Sequence, residues 1–254
     1  MSTLVEMRSV SKAFGEATAI SDVSLTVESG EIVALLGHNG AGKTVTVRLM
    51  ATLSWPTRGS VRVSDYDTRK DGVAVRQLLG LCLDQPMLWP DLTGYQTLRL
   101  LADAYGVPWS VAEQRCGEIL ERFRQPISTS ALVSEYSLGM KRKLGLAMSL
   151  LHEPRVVVWD EPEIGLDAPS RVELKALLAD LRRRGCAIVV TTHAIELAES
   201  VASRIAVLGH GRLVACDTAE ALRRQRGADS TLEQAFLTLI EESYVSNGHR
   251  NDPT

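Results

Sequence analysis

One short segment limits the possible folds of this 254-residue chain more than any other: GHNGAGKT, at positions 37–44. It fits the pattern GxxxxGK[ST], it ends the apolar run EIVALLG (31–37), and it precedes VTVRLMATL (45–53). This order predicts a buried strand, a glycine-rich loop and a helix. Glycines let successive backbone N–H groups surround an anion, and a helix N-terminus adds partial positive charge. The segment therefore predicts a phosphate-binding loop.

The side chains of this loop indicate a nucleotide bound together with magnesium. In loops of this type the lysine, here Lys43, reaches the β- and γ-phosphates, and the hydroxyl of Thr44 ligates Mg²⁺. The predicted phosphate-binding residues are Gly37, His38, Asn39, Gly40, Ala41, Gly42, Lys43 and Thr44. The alternative is a glycine-rich turn with a solvent-exposed lysine, and it does not explain why a strand and a helix flank the loop.

A second apolar run, RVVVWDEP (155–162), contains two adjacent acids near its end, Asp160 and Glu161. One acid at a strand end could cap the following helix, but two acids after VVVW are harder to explain in that way. Asp160 suits Mg²⁺ held through water, and Glu161 suits the polarisation of an attacking water. This interpretation depends on the phosphate loop, because the acid pair alone supports it only weakly.

Two further residues are candidates for nucleotide contacts. His193 ends a third apolar run, CAIVVTTH (186–193), and ligands of open α/β sheets bind at the carboxyl ends of the strands. A hydrogen bond from His193 to the γ-phosphate is therefore predicted, although a lone histidine is more often structural. Phe14, in SKAFG, could stack on the adenine or belong to the core. No NKxD-like guanine-reading motif occurs in the sequence, so ATP is favoured over GTP.

Composition argues against several classes of protein. The net charge is -3, so no overall positive field attracts nucleic acid. The four cysteines contain no CxxC pair, which argues against a metal site or a disulfide framework. No apolar run approaches the ~18 residues of a membrane span, and the N-terminal segment has no apolar signal core. If the protein works at a membrane, another chain is expected to supply the span.

The remaining pattern indicates where the other elements lie. Thr93 and Gln96 form a capping box that predicts a helix over 94–105, stopped by Pro108. An amphipathic helix is predicted over 111–123. A hairpin is predicted in SRIAVLGHGRLVA and short helices with a frayed polar end, SNGHRNDPT, after Cys216. Strands that alternate with helices predict a parallel sheet covered on both faces and interrupted by a helical insertion.

The stretch YSLGMKRKLGLA (136–147) begins a predicted helix with small residues and three basic side chains. Small residues let the positive end of a helix approach a phosphate closely. The basic run from Lys141 to Lys143 either adds positive potential or faces water. Leu144, Met148 and Leu151 recur at helical spacing and are predicted to anchor the helix in a core.

The order of these motifs resembles the ATP-binding subunit of an ABC transporter. It runs GHNGAGKT, LCLDQPMLWPDLT, YSLGMKRKL, VVVWDEPEIGLD and TTH, and the resemblance covers about residues 4–240. The segments RLMATLSWPTRGSVRVSDYD and YSLGMKRKLGLA resemble the branch that includes daunorubicin- and bacitracin-resistance ATPases. Members of this branch are mostly exporters with separate membrane subunits.

The resemblance implies an α/β fold of the P-loop NTPase (RecA-like) type. It has a parallel-sheet core, an N-terminal antiparallel β subdomain and an inserted α-helical subdomain. A single ABC ATPase domain is expected over 1–240, with its nucleotide-binding core at 1–84 and 153–215 and its helical subdomain at 85–152. Residues 216–254 are then a short helical C-terminal segment with a frayed tail.

The resemblance also implies roles at individual positions. The residues implied to act on the chain's own ATP and Mg²⁺ are Phe14 (adenine stacking), Lys43 (phosphate), Thr44 and Asp160 (Mg²⁺), Gln85 (Mg²⁺ sensing and coupling to the membrane subunit), Glu161 (catalysis) and His193 (switch). Ser137, Gly139 and Asp167 are implied to contact ATP bound on an opposing subunit.

Several positions depart from the family pattern. Val45 stands where a second Thr or Ser is usual near the α-phosphate, and because its backbone N–H remains, weaker binding is expected rather than none. Leu138 and Met140 replace a Gly and a Gln of the usual motif, as in the resistance branch. Ile164 and Ala168 flank the loop that crosses the dimer interface and leave its geometry open.

The implied function is hydrolysis of ATP to power a transporter, with an exporter of a drug, antibiotic, lipid or polysaccharide favoured. The implied partners are a second ATPase subunit, with a homodimer favoured, and a separate transmembrane permease at the cytoplasmic face of the membrane; no nucleic acid is expected. One alternative is a soluble ABC ATPase of DNA repair or translation, but tandem cassettes, coiled-coil insertions and basic arms are missing from the sequence. Another is a regulatory subunit without turnover, against which the intact Lys43, Asp160, Glu161 and His193 argue.

Overall fold

The computed structural model of the chain describes residues 2–126, 130–225 and 230–248, with the backbone alone from 244 to 248. The strands are β1 (Thr3–Phe14), β2 (Ala17–Glu28), β3 (Ile32–Leu36), β4 (Arg58–Val63), β5 (Tyr66–Asp67), β6 (Leu79–Cys82), β7 (Val156–Asp160), β8 (Ala187–Thr192), β9 (Arg204–Gly209) and β10 (Arg212–Asp217). The helices are α1 (Lys43–Met50), α2 (Gly72–Leu78), α3 (Gly94–Tyr105), α4 (Trp109–Arg122), α5 (Leu138–Leu150), α6 (Ala168–Arg183), α7 (Ile195–Val201), α8 (Ala219–Arg224) and α9 (Leu232–Gly248). In this part of the chain, every helix is too short or too polar to cross a membrane.

The larger sheet has the strand order β10-β9-β3-β8-β7-β6. Strands β9, β3, β8, β7 and β6 run parallel, and β10 returns antiparallel to β9. Every residue of β3, β7 and β8 is buried, which is typical of parallel strands covered on both faces. The predicted parallel sheet is confirmed, and its three apolar runs lie side by side with their carboxyl ends at one edge.

A second, antiparallel sheet has the order β2-β1-β4-β5 and confirms the predicted N-terminal β subdomain. In β2 the burial pattern alternates near the end of the strand, because one face packs on the core and the other faces water. One hydrophobic cluster joins this sheet, α1 and the larger sheet, and it includes Met7, Val23, Leu35, Val47 and Val158. Helix α1 is therefore held between the two sheets, at the end of the phosphate loop.

The helical insertion contains α3, α4 and α5 around a small core of its own, which includes Leu98, Leu120 and Leu144. The capping box at the start of α3 is present as predicted. The prediction that Pro108 stops this helix is wrong, because Gly106 already ends it in the left-handed conformation (φ 67°). Pro108 instead precedes α4, which begins at Trp109, slightly before the predicted start at 111.

The C-terminal segment packs on the sheet more extensively than the sequence indicated. The predicted hairpin is present as β9 and β10, and β10 continues to Asp217. Helix α9 is 17 residues long, and it buries Leu232, Leu239 and Ile240 in the same cluster as Ile205 of β9. The predicted frayed end begins at 246, but residues 246–248 still belong to α9, and the rest of that segment lies outside the described residues.

The four cysteines are free thiols in separate places. Cys82, Cys116 and Cys186 are buried, and Cys216 is partly buried. Burial raises the pKa of Cys82 to about 11 and that of Cys116 to about 12. Burial also raises the pKa of Cys186 and Cys216.

Candidate nucleotide-binding and catalytic site

A cleft of about 360 Å³ lies at the carboxyl edge of the parallel sheet. Strand β3 leads into the phosphate loop and β7 ends at the acid pair, so the topology brings these two motifs together. The sequence-predicted residues that line the cleft are His38, Asn39, Gly40, Ala41, Gly42, Lys43, Thr44, Val45, Asp160 and Glu161. Ala19, Asp84 and Ile164 complete the lining.

Gly42 allows the loop to turn into α1. Its φ of 103° is a conformation that L side chains rarely adopt, and a Cβ atom there would lie 2.6 Å from Cγ2 of Ile20. Gly42 is also the N-cap residue of α1, which begins at Lys43. The positive end of the helix therefore borders the cleft, where it favours an anion.

Lys43 is held in place before any anion binds. Its ammonium donates to the backbone carbonyl of Gly37 at 2.7 Å and to that of His38 at 3.4 Å. The same Nζ lies 3.8 Å from Oε1 of Glu161, and both side chains are largely buried. A positive charge is thus fixed between the loop and the acid pair, which suits a phosphate group in the cleft.

Asp160 is buried at the end of β7 and offers an unused carboxylate oxygen. Its Oδ1 accepts a hydrogen bond from the hydroxyl of Thr191. Its Oδ2 is buried and has no hydrogen-bond partner among the described residues. Burial raises the pKa of Asp160, while the hydroxyls of Thr191 and Thr44 act in the opposite direction. A carboxylate oxygen without a partner, close to the hydroxyl of Thr44, fits Mg²⁺, which prefers oxygen ligands.

Glu161 has a strained backbone that aims its carboxylate toward His193. Its φ is 48°, in the left-handed region that is uncommon outside glycine and that often marks functional sites. Its amide donates to the carbonyl of Thr191 at 3.1 Å and to the hydroxyl of the same residue at 3.0 Å. Oε2 of Glu161 lies 2.6 Å from Nδ1 of His193, whose side chain is 61% exposed. Glu161 lines the cleft, whereas His193 is not among its lining residues in the described structure.

Glu163 is a neighbour of this pair that sequence reasoning did not identify. Its buried carboxylate accepts a hydrogen bond from the hydroxyl of Thr192, and the same hydroxyl accepts from the amide of Ala194 at 2.9 Å. Burial raises the pKa of Glu163. This contact ties the loop of His193 to the loop that follows Glu161. An acid two residues after the acid pair carried no signal of burial in the sequence.

Asp84 lines the cleft, whereas Gln85 is exposed and is not among its lining residues in the described structure. Asp84 follows strand β6 closely, as Asp160 ends strand β7, and this shared position was a signal that could have identified it. Gln85 directly follows Asp84 in the chain, and its predicted role in sensing Mg²⁺ stays a prediction.

In the described structure, Phe14 is not one of the residues that line the cleft. It ends β1, pairs with Ala17 of β2, and is 55% exposed, which excludes the core alternative. Ala19, two residues beyond its partner, lines the cleft. The ring is therefore free of the core, and its predicted stacking on adenine stays a prediction.

The three residues predicted to act on an opposing subunit form a separate group. Ser137 is exposed, and its hydroxyl caps α5 by accepting from the amide of Met140 at 3.2 Å. A Cβ atom on Gly139 would lie 2.6 Å from the carbonyl oxygen of Gly165, so only glycine fits there. Asp167 is exposed and caps α6. In the described structure none of the three lines the cleft of its own chain.

The basic run at the start of α5 is not a uniform charged surface. Arg142 has no exposed surface, which excludes the interpretation that it faces water. The ammonium of Lys143 donates to the carbonyl of Phe123 at 3.1 Å. Lys141 is partly exposed, and its ammonium makes no hydrogen bond or ion pair with the described residues. The interpretation that the residue faces water therefore stays open for Lys141.

Comparisons with known proteins agree on one family. The sequence profile of the ABC transporter family matches residues 20–163, more than half of the chain. The daunorubicin resistance ATP-binding protein of Streptomyces coeruleorubidus is 36% identical over 89% of this chain and 72% of its own length. The probable multidrug ABC transporter ATP-binding protein of Escherichia coli is 34% identical over 94% of this chain. The chain spans 42% of the length of that second relative.

Solved structures give the same result. A structure described as the ATP-binding subunit of an ABC transporter has a TM-score of 0.87 and 31% identity, and it covers 93% of this chain and 99% of its own. A dimeric ATP-binding cassette in a post-hydrolysis state, bound to ADP and Pi, has a TM-score of 0.76 and 25% identity, covering 85% of this chain and 98% of its own.

Proposed function

Because the chain belongs to the ABC transporter family, we propose that it is an ATP-hydrolysing subunit that powers export through a separate membrane subunit. The resemblance to the daunorubicin-resistance branch is confirmed by the relatives found. The observation that carries the proposal is the constellation of Lys43, Asp160 and Glu161 in one cleft at the carboxyl edge of the sheet. The names of the relatives favour a transporter over a soluble ATPase of DNA repair or translation.

The arrangement assigns a task to each group. Lys43 and the N-terminus of α1 bind the β- and γ-phosphates. Thr44 and Asp160 would hold Mg²⁺, which neutralises developing charge on the phosphates when it is bound. Glu161 orients the attacking water. His193 donates to the carboxylate of Glu161 through Nδ1, and its Nε2 can donate to the γ-phosphate as well when both ring nitrogens carry a proton.

A second cassette would complete the site. Ser137, Gly139 and Asp167 lie outside their own chain's cleft, and Ser137 and Asp167 are exposed at capped helix N-termini. A helix N-terminus favours a phosphate, so this group is suited to ATP bound on an opposing chain. The dimeric form of the structural relative supports such a pairing. We propose a homodimer as the simplest arrangement.

The membrane subunit is proposed to dock beside Gln85. An apolar groove of about 490 Å³ there is lined by Leu83, Pro86, Met87, Leu88, Trp89, Leu101 and Tyr105 among others. Met87 is 73% exposed, and Trp89 and Leu100 are exposed as well. Such a patch on one chain marks an interaction site. The proposed occupant is an apolar helix face of the permease, which would place this chain at the cytoplasmic face of the membrane.

The proposal is tested by phosphate release from ATP. The purified chain is expected to release phosphate only with Mg²⁺, and a Lys43→Ala variant is expected to lose this activity because the positive charge between loop and acid pair is gone. Expression with the membrane protein of a neighbouring gene should bring the chain to the membrane fraction. No hydrolysis with or without that partner would contradict the ATPase proposal, and a chain that ignores the partner would favour the soluble alternative.

Replacement of Phe14 tests its predicted contact with the base. Stacking on an aromatic ring is worth ~1–3 kcal/mol, so Phe14→Ala should raise the KM for ATP about tenfold. The kcat should change little, because stacking is equal in the ground and transition states. Steady-state phosphate release measures both, and Phe14→Tyr, which keeps the ring, is the matched control. An unchanged KM in the alanine variant would rule out stacking.

A further inference from the structure

Arg142, near the start of α5, is a fully buried arginine whose contacts reach three separate loops. Its Nη1 donates to the carbonyl of Leu83 at 2.6 Å, and its Nη2 donates to the carbonyl of Asp84. Its Nε donates to the carbonyl of Ile164 at 3.3 Å, and Nη1 also lies 3.5 Å from the carbonyl of Asp160. The guanidinium thus contacts carbonyls in three places: at residues 83–84 before Gln85, at the end of β7, and in the loop after Glu161.

This arginine is not part of an ion pair. In the described chain, no carboxylate lies within 4.0 Å of its guanidinium, and its contacts are backbone carbonyls and the Sγ of Cys82 at 3.9 Å. Burial of an unpaired charge is unfavourable, and an apolar side chain of similar volume would fill the same space without that penalty. The guanidinium must therefore supply something that an apolar residue cannot. It presents five N–H donors in one rigid plane, which lets a single side chain bond to several carbonyls at once.

The bonded loops belong to both halves of the proposed site. Asp84 and Asp160 line the chain's own cleft. Helix α5 carries Ser137 and Gly139, which the proposed function assigns to the ATP of the opposing subunit. A second contact joins the same elements, because Gly139 packs directly against the carbonyl of Gly165.

We propose that Arg142 is a positioning residue that fixes the start of α5 relative to the loops at 83–84 and 160–164. The start of α5, which carries Ser137 and Gly139, then moves together with the chain's own cleft. This inference rests on the proposed function for its effect on hydrolysis, but not for the link itself. Arg142 touches no substrate and acts through Ser137 and Glu161.

The test compares Arg142→Gln and Arg142→Lys with Lys141→Gln, which removes one positive charge from the same turn of α5. In Arg142→Gln, kcat should fall about tenfold, as expected when coupling between sites weakens. Binding of a fluorescent ATP analogue to the monomer should stay within about twofold of wild type. Arg142→Lys should recover part of the kcat, since one ammonium reaches fewer carbonyls than a guanidinium. Lys141→Gln should behave like wild type.

Hydrogen–deuterium exchange without nucleotide tests the link itself. In both Arg142 variants the amides of 83–90 and of 161–167 should exchange faster together, whereas Lys141→Gln should leave both segments unchanged. Should Arg142→Gln fail to fold, the lysine variant decides the question. Exchange that stays as in wild type at either segment, or a kcat within about twofold of wild type, would overturn the inference. If the wild-type chain hydrolyses no ATP, the proposed function fails, and the exchange result still decides whether Arg142 links the loops.

Discussion

Glu161→Gln should abolish ATP turnover and trap an ATP-bound dimer. Glutamine keeps the shape of the side chain but cannot accept a proton or polarise water as a carboxylate does. Loss of a general base slows a reaction by ~10²–10⁴-fold, so phosphate release should fall by at least about 100-fold. The phosphate loop and Asp160 stay intact, so ATP still binds. A phosphate-release assay and a sizing column run with ATP measure the two effects.

The matched control for this prediction is Glu113→Gln on α4. It makes the same chemical change at an exposed helical position outside the cleft, and it should leave both turnover and elution unchanged. Turnover that continues in Glu161→Gln would show that this carboxylate does not activate the water. A monomer that persists with ATP while turnover is lost would instead contradict the closed dimer as the hydrolytic state.

Ser137→Arg should leave ATP binding by the isolated monomer intact and block hydrolysis. Ser137 is exposed at the start of α5, and in the described structure it does not line the cleft of its own chain. A long cation at this position would occupy the space that the γ-phosphate of the opposing ATP needs. Monomer affinity should stay within about twofold of wild type, and hydrolysis should fall on the order of 100-fold.

Titration with a fluorescent ATP analogue at low protein concentration measures the first quantity, and phosphate release measures the second. The arginine also removes the hydroxyl that caps α5, which is worth ~0.5–2 kcal/mol, so a thermal melt must show that the variant is folded. Ser137→Thr retains a capping hydroxyl and serves as the control. Loss of binding in the monomer would mean that Ser137 belongs to its own chain's site.

The parts of the fold that could be predicted are those where one local signal dominates. The runs that became β3, β7 and β8 are short and apolar at nearly every position, which is typical of buried parallel strands. The capping box of Thr93 and Gln96 fixed the start of α3 to the residue. The adjacency of β3, β8 and β7 then placed the phosphate loop, the acid pair and His193 at one edge.

The parts that could not be predicted depend on contacts between distant segments. Three consecutive basic residues look alike in a sequence, and α5 is buried on most sides from Leu144 onward, so helical periodicity gave no polar face on which to place Arg142. The carbonyls that accept from it come from loops 18 to 59 positions away. The contact of Glu163 with Thr192 likewise joins two loops after different strands. Propensity and pattern describe neighbours along the chain, and these bonds are set by tertiary packing.

The native cysteines are expected to react slowly with thiol-directed labels in the folded chain. Reagents such as maleimides attack the thiolate, and burial raises the pKa of Cys82 to about 11, so its thiol stays protonated at neutral pH. Burial also hinders access to Cys82, Cys116 and Cys186. A cysteine introduced on an exposed surface can therefore react selectively, so that paired fluorophores can report the approach of two cassettes without removal of the native sulfurs.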